Sequence, residues 1–201
     1  MTLTTLPLGP LGTNCYIVKD SQTNACALID PGAGAQTIIT YLADHALALR
    51  MILLTHAHFD HMLFALPWLK EGVKLYVHQE DVQGVTDPEW NLSGMVGVQL
   101  RLPEPDVCLR EGDVFEEAGI SFTVLHTPGH TKGSVCYQVG DTLFSGDTMF
   151  YQSYGRVDLP GGNNMQMAMS LKRLLKLDDQ TVVYPGHGMR TKIGWERRSF
   201  Q

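Results

Sequence analysis

The sequence predicts an α+β fold in which sheets stack as a sandwich, and three observations point there. Short apolar runs of β-compatible residues recur along the chain, each bounded by Gly, Pro, Asn, His or Asp, as strands between turns are. Two longer stretches carry the periodicity of amphipathic helices. The order of strand and helix patterns in the first half returns in the second, which fits a pseudo-duplicated sandwich, although no repeat is visible in the residues themselves.

Taken in order, strands are predicted over Leu3 to Leu8, Asn14 to Val18 and Ala25 to Ile29. A helix follows over Ala35 to Ala48, with Ile38, Leu42 and Ala46 spaced to share a face. Met51 to Leu54 is a short buried strand, a helix opens just after His61 and runs through Leu69, and Leu75 to Val77 is again strand. Asp87 to Gly94 has turn residues, Trp90 and little periodicity, so it is expected to cover the cleft of the site as a lid or substrate wall, a plain surface loop being the alternative. The second half gives strands over Ser121 to Leu125, Ser134 to Val139 and Thr142 to Phe144. A helix over Asn164 to Lys176 is capped by Asn163 or Asn164 and turns Met167, Leu171, Leu174 and Leu175 inward. Val182 to Tyr184 closes the pattern.

A chain of 201 residues is one domain's worth, read here as a single domain over 1–201 with room for a substantial core. Its 15 Lys and Arg against 21 Asp and Glu leave a formal charge of −6, the wrong sign for a phosphate-backbone ligand. The start, Met1-Thr2-Leu3-Thr4-Thr5-Leu6-Pro7, has no basic region and no long apolar stretch, so no signal peptide is expected. No apolar run approaches the length of about 18 residues that a membrane span needs. Cys15, Cys26, Cys108 and Cys136 are widely spaced, sit in or beside apolar runs and are read as reduced core residues. These features together predict a cytoplasmic protein without nucleic-acid or membrane partners.

The chemistry concentrates in Thr55-His56-Ala57-His58-Phe59-Asp60-His61, three imidazoles and a carboxylate directly after an apolar strand. Nitrogen and carboxylate ligands suit borderline divalent cations, zinc first, with iron and manganese as alternatives. A polar loop that happens to be rich in histidine is the bland alternative, and a cluster this tight argues against it. Three further candidates follow strand-like runs and sit beside Gly or Pro: His130 in Thr127-Pro128-Gly129-His130, Asp147 in Ser145-Gly146-Asp147-Thr148, and His187 in Tyr184-Pro185-Gly186-His187-Gly188. Strand ends of this kind deliver ligands to one edge of a sheet sandwich. Two cations on such a set leave positions for a bridging water or hydroxide, a nucleophile at neutral pH. Thioester hydrolysis suits the site especially well, because a thiolate leaving group is itself a soft ligand for zinc.

His56-x-His58-x-Asp60-His61, His130, Asp147 and His187 together resemble the metallo-β-lactamase fold superfamily, over essentially the whole chain from Leu28-Ile29-Asp30-Pro31-Gly32 onward. Gly146-Asp147-Thr148-Met149-Phe150 and Gly155-Arg156 are similar to its glyoxalase II-like branch, the hydroxyacylglutathione hydrolases. The resemblance implies a four-layer αββα sandwich with a dinuclear centre. His56, His58 and His130 would hold one metal, Asp60, His61 and His187 the other, and Asp147 would bridge both, with Asp60 and Asp147 as the catalytic carboxylates. It also implies a thioesterase acting on S-lactoylglutathione-like substrates. True lactamases of the fold resemble a pattern with Cys at position 147 and are secreted, whereas this chain has Asp. Glyoxalase II proper adds a helical C-terminal domain, and the present sequence resembles the short branch without it. Leu63-Phe64-Ala65 stands where the family commonly has small residues, a bulk that would either narrow the pocket or repack against a neighbour.

The alternatives inside the fold are a persulfide dioxygenase with a single iron on His56, His58, His130 and Asp147, a lactonase and a phosphodiesterase. A metal-binding protein without turnover is the alternative from another class. Arg156 is the candidate anion clamp, since guanidinium binds carboxylates in a bidentate way. The basic residues Arg190, Lys192, Arg197 and Arg198 are weaker candidates. His126 is read as structural, His45 as part of a solvated face, Asp30 as a turn residue or a partner of a ligand, and Met165, Met167 and Met169 as packing.

Overall fold

The computed structural model describes residues 1–70 and 72–200. Six strands build the first sheet in chain order: β1 (Thr2–Leu8), β2 (Thr13–Lys19), β3 (Ala25–Ile29), β4 (Ala48–Leu53), β5 (Lys74–His78) and β6 (Val107–Leu109). β1, β2 and β3 pair antiparallel, and β3 through β6 pair parallel. The second sheet holds β7 (Val114–Glu117), β8 (Ile120–His126), β9 (Val135–Val139), β10 (Thr142–Gly146), β11 (Val182–Pro185) and β12 (Thr191–Lys192), also in chain order. Only β10 and β11 run parallel there.

The central strands β2, β3 and β10 are almost wholly buried runs because both faces of each sheet are covered there. In β2, Cys15 and Ile17 face an outer core shared with Ile38 and Leu42, while Tyr16 and Val18 face the layer between the sheets. Just past and within β4 the split is Met51 and Leu53 inward, Ile52 and Leu54 outward. Ile38 and Leu42 belong to α1 (Ala35–Asp44), which lies on the outer face of the first sheet. Met167, Leu171 and Leu174 of α4 (Asn164–Leu174) and Ile193 of α5 (Ile193–Ser199) cover the outer face of the second, against Cys136, Leu143 and Val183. Helix, sheet, sheet, helix is the expected four-layer αββα sandwich. Two short helices, α2 (Phe59–Met62) and α3 (Val82–Thr86), stand at strand ends. No helix among the described residues is long and apolar enough to cross a membrane.

Four expectations need correction. α1 ends at Asp44, and Ala46 sits at φ 51 in the turn to β4 instead of on the helix face. The helix expected from His61 through Leu69 begins at Phe59, stops at Met62 and gives way to a 3₁₀ turn over Leu66–Trp68. Pro67 explains the break, since it has no N–H for Leu63 and its ring would clash with that carbonyl. Cys108 is exposed on the edge strand β6, unlike the three buried cysteines. Arg197 is not a free cation: Nε donates to Leu175 O at 2.8 Å, Nη2 donates to Leu177 O at 2.6 Å, and its remaining amino group pairs with Asp179, closing the end of α4. The cap of α4 is as expected, with Asn163 Oδ1 accepting from Gln166 N at 3.0 Å.

Candidate metal centre

The histidine-rich stretch leaves the first sheet at the end of β4. His56 lies in the turn, His58 caps α2 from extended backbone, and Asp60 and His61 stand inside α2. His130 lies between β8 and β9, Asp147 directly after β10, and His187 just after β11. The packing at these turns is close enough to demand glycine at two points. A Cβ on Gly32 would lie 1.4 Å from Asp60 O, and one on Gly186 would lie 2.2 Å from Asp147 Oδ1. Substituents there would displace the very residues the turns present.

All the predicted metal residues converge. His56, His58 and His130 form one group, His56, His61 and Asp147 a second, and Asp60, His61 and His187 a third, with ligand atoms inside each group within 4.8 Å. Outer partners fix the imidazole tautomers. His61 Nδ1 donates to Asp30 Oδ2 at 2.9 Å, His130 Nδ1 to Arg156 O at 2.7 Å and His187 Nδ1 to Leu11 O at 3.1 Å. These acceptors carry no proton, so the δ nitrogens do, and in the neutral rings Nε2 is a bare lone pair. Thr55 Oγ1 donates to Asp30 Oδ2 at 2.7 Å and therefore accepts from His56 Nδ1 at 3.1 Å, which bares His56 Nε2 as well.

The bare atoms then face one another. His61 Nε2 and His187 Nε2 are 3.4 Å apart, Asp60 Oδ2 lies 3.3 Å from His187 Nε2, and Asp147 Oδ1 lies 3.4 Å from His61 Nε2. Asp147 Oδ2 lies 3.5 Å from His130 Nε2 and 3.6 Å from His187 Nε2, so its two oxygens address both sets. Such separations are long for charged hydrogen bonds, which run about 2.7–2.9 Å. They match the edges of a tetrahedral shell, about 3.3–3.6 Å for metal–ligand bonds of about 2.0–2.2 Å. His56 Nε2 and Asp147 Oδ1 are buried with no hydrogen-bond partner, each a cost of about 1–3 kcal/mol that a bound cation in their midst would offset, and His58 meets His130 Nε2 through Nδ1 at 2.9 Å. The residues fit a divalent cation on each side of Asp147.

The electrostatics agree. Burial and then the neighbouring imidazoles push His56 and His58 well below the usual histidine pKa, keeping them neutral as metal ligands must be. Burial alone would lower His61, but Asp60, Asp147 and Asp30 outweigh it and carry its pKa up to about 10, so a cation bound there would take the place of the proton on His61 Nε2. Burial raises Asp60, and His61 and His187 overturn that and hold it below the usual carboxylate range. The pocket thus attracts positive charge. Asp60 and His187 are its exposed members, with side chains 17% and 26% accessible against 0% for His61, so the open face lies on their side.

Several expectations meet their outcome here. Asp30 fills both roles foreseen for it, since it takes φ 54 in the turn and holds Thr55 N at 2.8 Å besides Thr55 Oγ1 and His61. Arg156 lies beside the centre through its carbonyl, while its guanidinium forms a surface fork with Asp158 at 2.8 and 2.7 Å. His126 stacks on His78 at 4.0 Å outside the cluster, and His45 stacks on Tyr41. The 87–94 segment is tied to the body of the fold at Asn91. Phe59 N donates to Asn91 O at 2.8 Å, and the Asn91 amide donates to Gly84 O and Leu100 O with no exposure. Sequence reasoning missed Leu11, whose carbonyl orients His187, and Thr13, whose hydroxyl donates to Asp60 Oδ2 at 3.1 Å. Neither residue carries a motif.

A model of the metallo-β-lactamase superfamily matches residues 8–187. Hydroxyacylglutathione hydrolase GloC of Haemophilus influenzae is 33% identical, aligning 99% of this chain with 96% of its own. The crystal structure of BLEG-1 B3 metallo-β-lactamase superposes with a TM-score of 0.93 at 35% identity, over 98% of this chain and 97% of that one. TTHA1623 in a di-iron-bound form gives a TM-score of 0.82 at 37% identity, over 98% of each chain.

Proposed function

This chain belongs to the metallo-β-lactamase superfamily of metal-dependent hydrolases, and on that premise we propose that it is a two-metal thioesterase acting on S-acylglutathione-type substrates. The observation that carries the reading is the convergence of Nε2 atoms, those of His61 and His187 at 3.4 Å, with the Nδ1 of each held from outside. His56, His58 and His130 would hold one cation, Asp60, His61 and His187 the other, with Asp147 between them. Zinc is the proposed metal, and the di-iron form of a neighbour makes iron the first alternative. When bound, two such cations lower the pKa of water to about 7 and polarise a carbonyl.

The chain's own groups prepare that chemistry. Asp30 keeps the proton of His61 on Nδ1, and Leu11 O keeps that of His187 on Nδ1, so both rings present lone pairs to the same point. Thr13 fixes the Asp60 carboxylate at the open face, where a substrate carbonyl enters. The Phe150 ring stands edge-on to His187 at 6.0 Å and walls that face. Support for a thioester in particular comes from the full-length similarity to a hydroxyacylglutathione hydrolase and from the affinity of a thiolate leaving group for zinc.

A second reading, β-lactam opening, is favoured by the superposition on a B3 lactamase. One experiment separates the readings: metal-loaded protein beside a chelator-stripped control, offered S-lactoylglutathione and a chromogenic cephalosporin. Chelator-sensitive thiol release is the expected outcome. Cephalosporin opening without thiol release would replace the thioesterase by a lactamase, and oxygen uptake with glutathione persulfide alone would replace it by a mononuclear iron dioxygenase.

A further inference from the structure

We infer that Asp81 is a positioning residue for the three-histidine half of the centre, an inference that rests on the metal-site reading above. Asp81 ends a 3₁₀ turn that follows β5, and it is 6% exposed. Its Oδ2 accepts from Ala57 N at 2.9 Å and from Thr131 Oγ1 at 2.8 Å, and its Oδ1 accepts from Gly133 N at 2.7 Å. Ala57 lies between His56 and His58, and Thr131 follows His130. One carboxylate therefore ties together two loops that leave different sheets, and it touches no ligand atom itself.

The attachment is tight on both sides. A Cβ on Gly133 would lie 2.5 Å from Asp81 N, and a Cβ on Gly84 would lie 2.8 Å from Ala57 Cβ. Thr131 is further fixed by Ser134, whose Oγ accepts from Thr131 N at 3.0 Å and lies 2.7 Å from Thr131 Oγ1. His58 Nδ1 and His130 Nε2 meet at 2.9 Å across the gap that Asp81 closes. The other half of the centre has no such dependence: His61 hangs from Asp30, Asp60 from Thr13 and His187 from Leu11 O. The carboxylate of Asp81 thus sets the spacing of one ligand group and leaves the second to other anchors.

The test isolates each group and measures zinc affinity by competition with a chromophoric chelator. His187→Ala weakens the Asp60 side and leaves the three-histidine group, and His58→Ala does the reverse. Adding Asp81→Asn is expected to lower zinc affinity about 10–100-fold in the His187→Ala chain, as for other partners that orient metal-binding groups. The same substitution is expected to leave the affinity of the His58→Ala chain unchanged. Thr131→Val, which removes the bond to Asp81 and the contact with Ser134 Oγ but no charge, is expected to give a smaller loss in the His187→Ala chain only and covers the case of a misfolded Asp81 variant. Equal losses in both backgrounds, or none in either, would overturn the inference, since the first marks a general structural role. Failure of the parent chain to bind zinc would instead overturn the metal-site reading itself.

Discussion

Asp30→Asn and Asp30→Ala give a graded test of how the centre is held. The native carboxylate receives three donors, Thr55 N on one oxygen and Thr55 Oγ1 with His61 Nδ1 on the other. An asparagine offers a single acceptor oxygen. Turned toward Thr55 Oγ1 and His61, it strands only Thr55 N; turned the other way, it strands two donors. The first orientation wins, so the loss is one buried donor, about 1–3 kcal/mol. For a chain of this size each kcal/mol moves Tm by about 2–4 °C, which gives a drop of about 2–12 °C with His61 still oriented. Alanine removes all three acceptor contacts, and losing a buried charged partner costs about 3–5 kcal/mol. It also frees the His61 ring, so zinc affinity should fall about 10–100-fold. Circular dichroism melts of chelator-stripped protein and zinc competition titrations read the two effects separately. An alanine variant that binds zinc as tightly as the parent would refute the claim that Asp30 orients His61.

Two further outcomes follow from the same contacts. If Arg156 clamps an anionic substrate, the substrate must displace Asp158, so Arg156→Ala should raise KM for glutathione thioesters and Asp158→Ala should lower it, with kcat little changed; an unmoved KM in both variants removes Arg156 from substrate binding. Burial tends to raise Glu111, but Arg173 and His126 N outweigh it and lower its pKa. A depressed folded pKa means that the contribution is present above the unfolded value of about 4.3 and is lost as pH falls through the folded one. Glu111→Gln should therefore be less stable than the parent at pH 7 by about 1 kcal/mol or less, with the gap closing below about pH 4 in denaturant titrations; a gap independent of pH would discount the ion pair.

The sequence made legible what is local and strongly patterned. Thr55 to His61 declares its chemistry within a few residues, and the alternation of Cys15, Tyr16, Ile17 and Val18 is a strand covered on both faces. His130, Asp147 and His187 could be joined to that cluster only through resemblance, because nothing local links residues so far apart. The contact of Asp30 with His61 spans 31 positions and leaves no periodic trace. Short edge strands were harder still: Val114–Glu117 buries no residue fully, so it lacks the apolar contrast on which strand recognition depends. Arg197 looked like a solvated tail charge because its acceptors are the carbonyls of Leu175 and Leu177, which sequence does not display.

The division of the ligands between the sheets has a consequence for assembly. Each sheet keeps its strands in chain order, so each half can form from contacts near in sequence. Docking one half on the other is the step that spans the chain, and contacts of long sequence separation are the slow ones to form. His56, His58, Asp60 and His61 arrive with the first sheet, and His130, Asp147 and His187 with the second. Neither half alone can complete either ligand group, since each draws from both sheets. If those groups take up metal as proposed, uptake during refolding would work as a clock for docking: it would start when the halves meet, whatever the pace at which each was built.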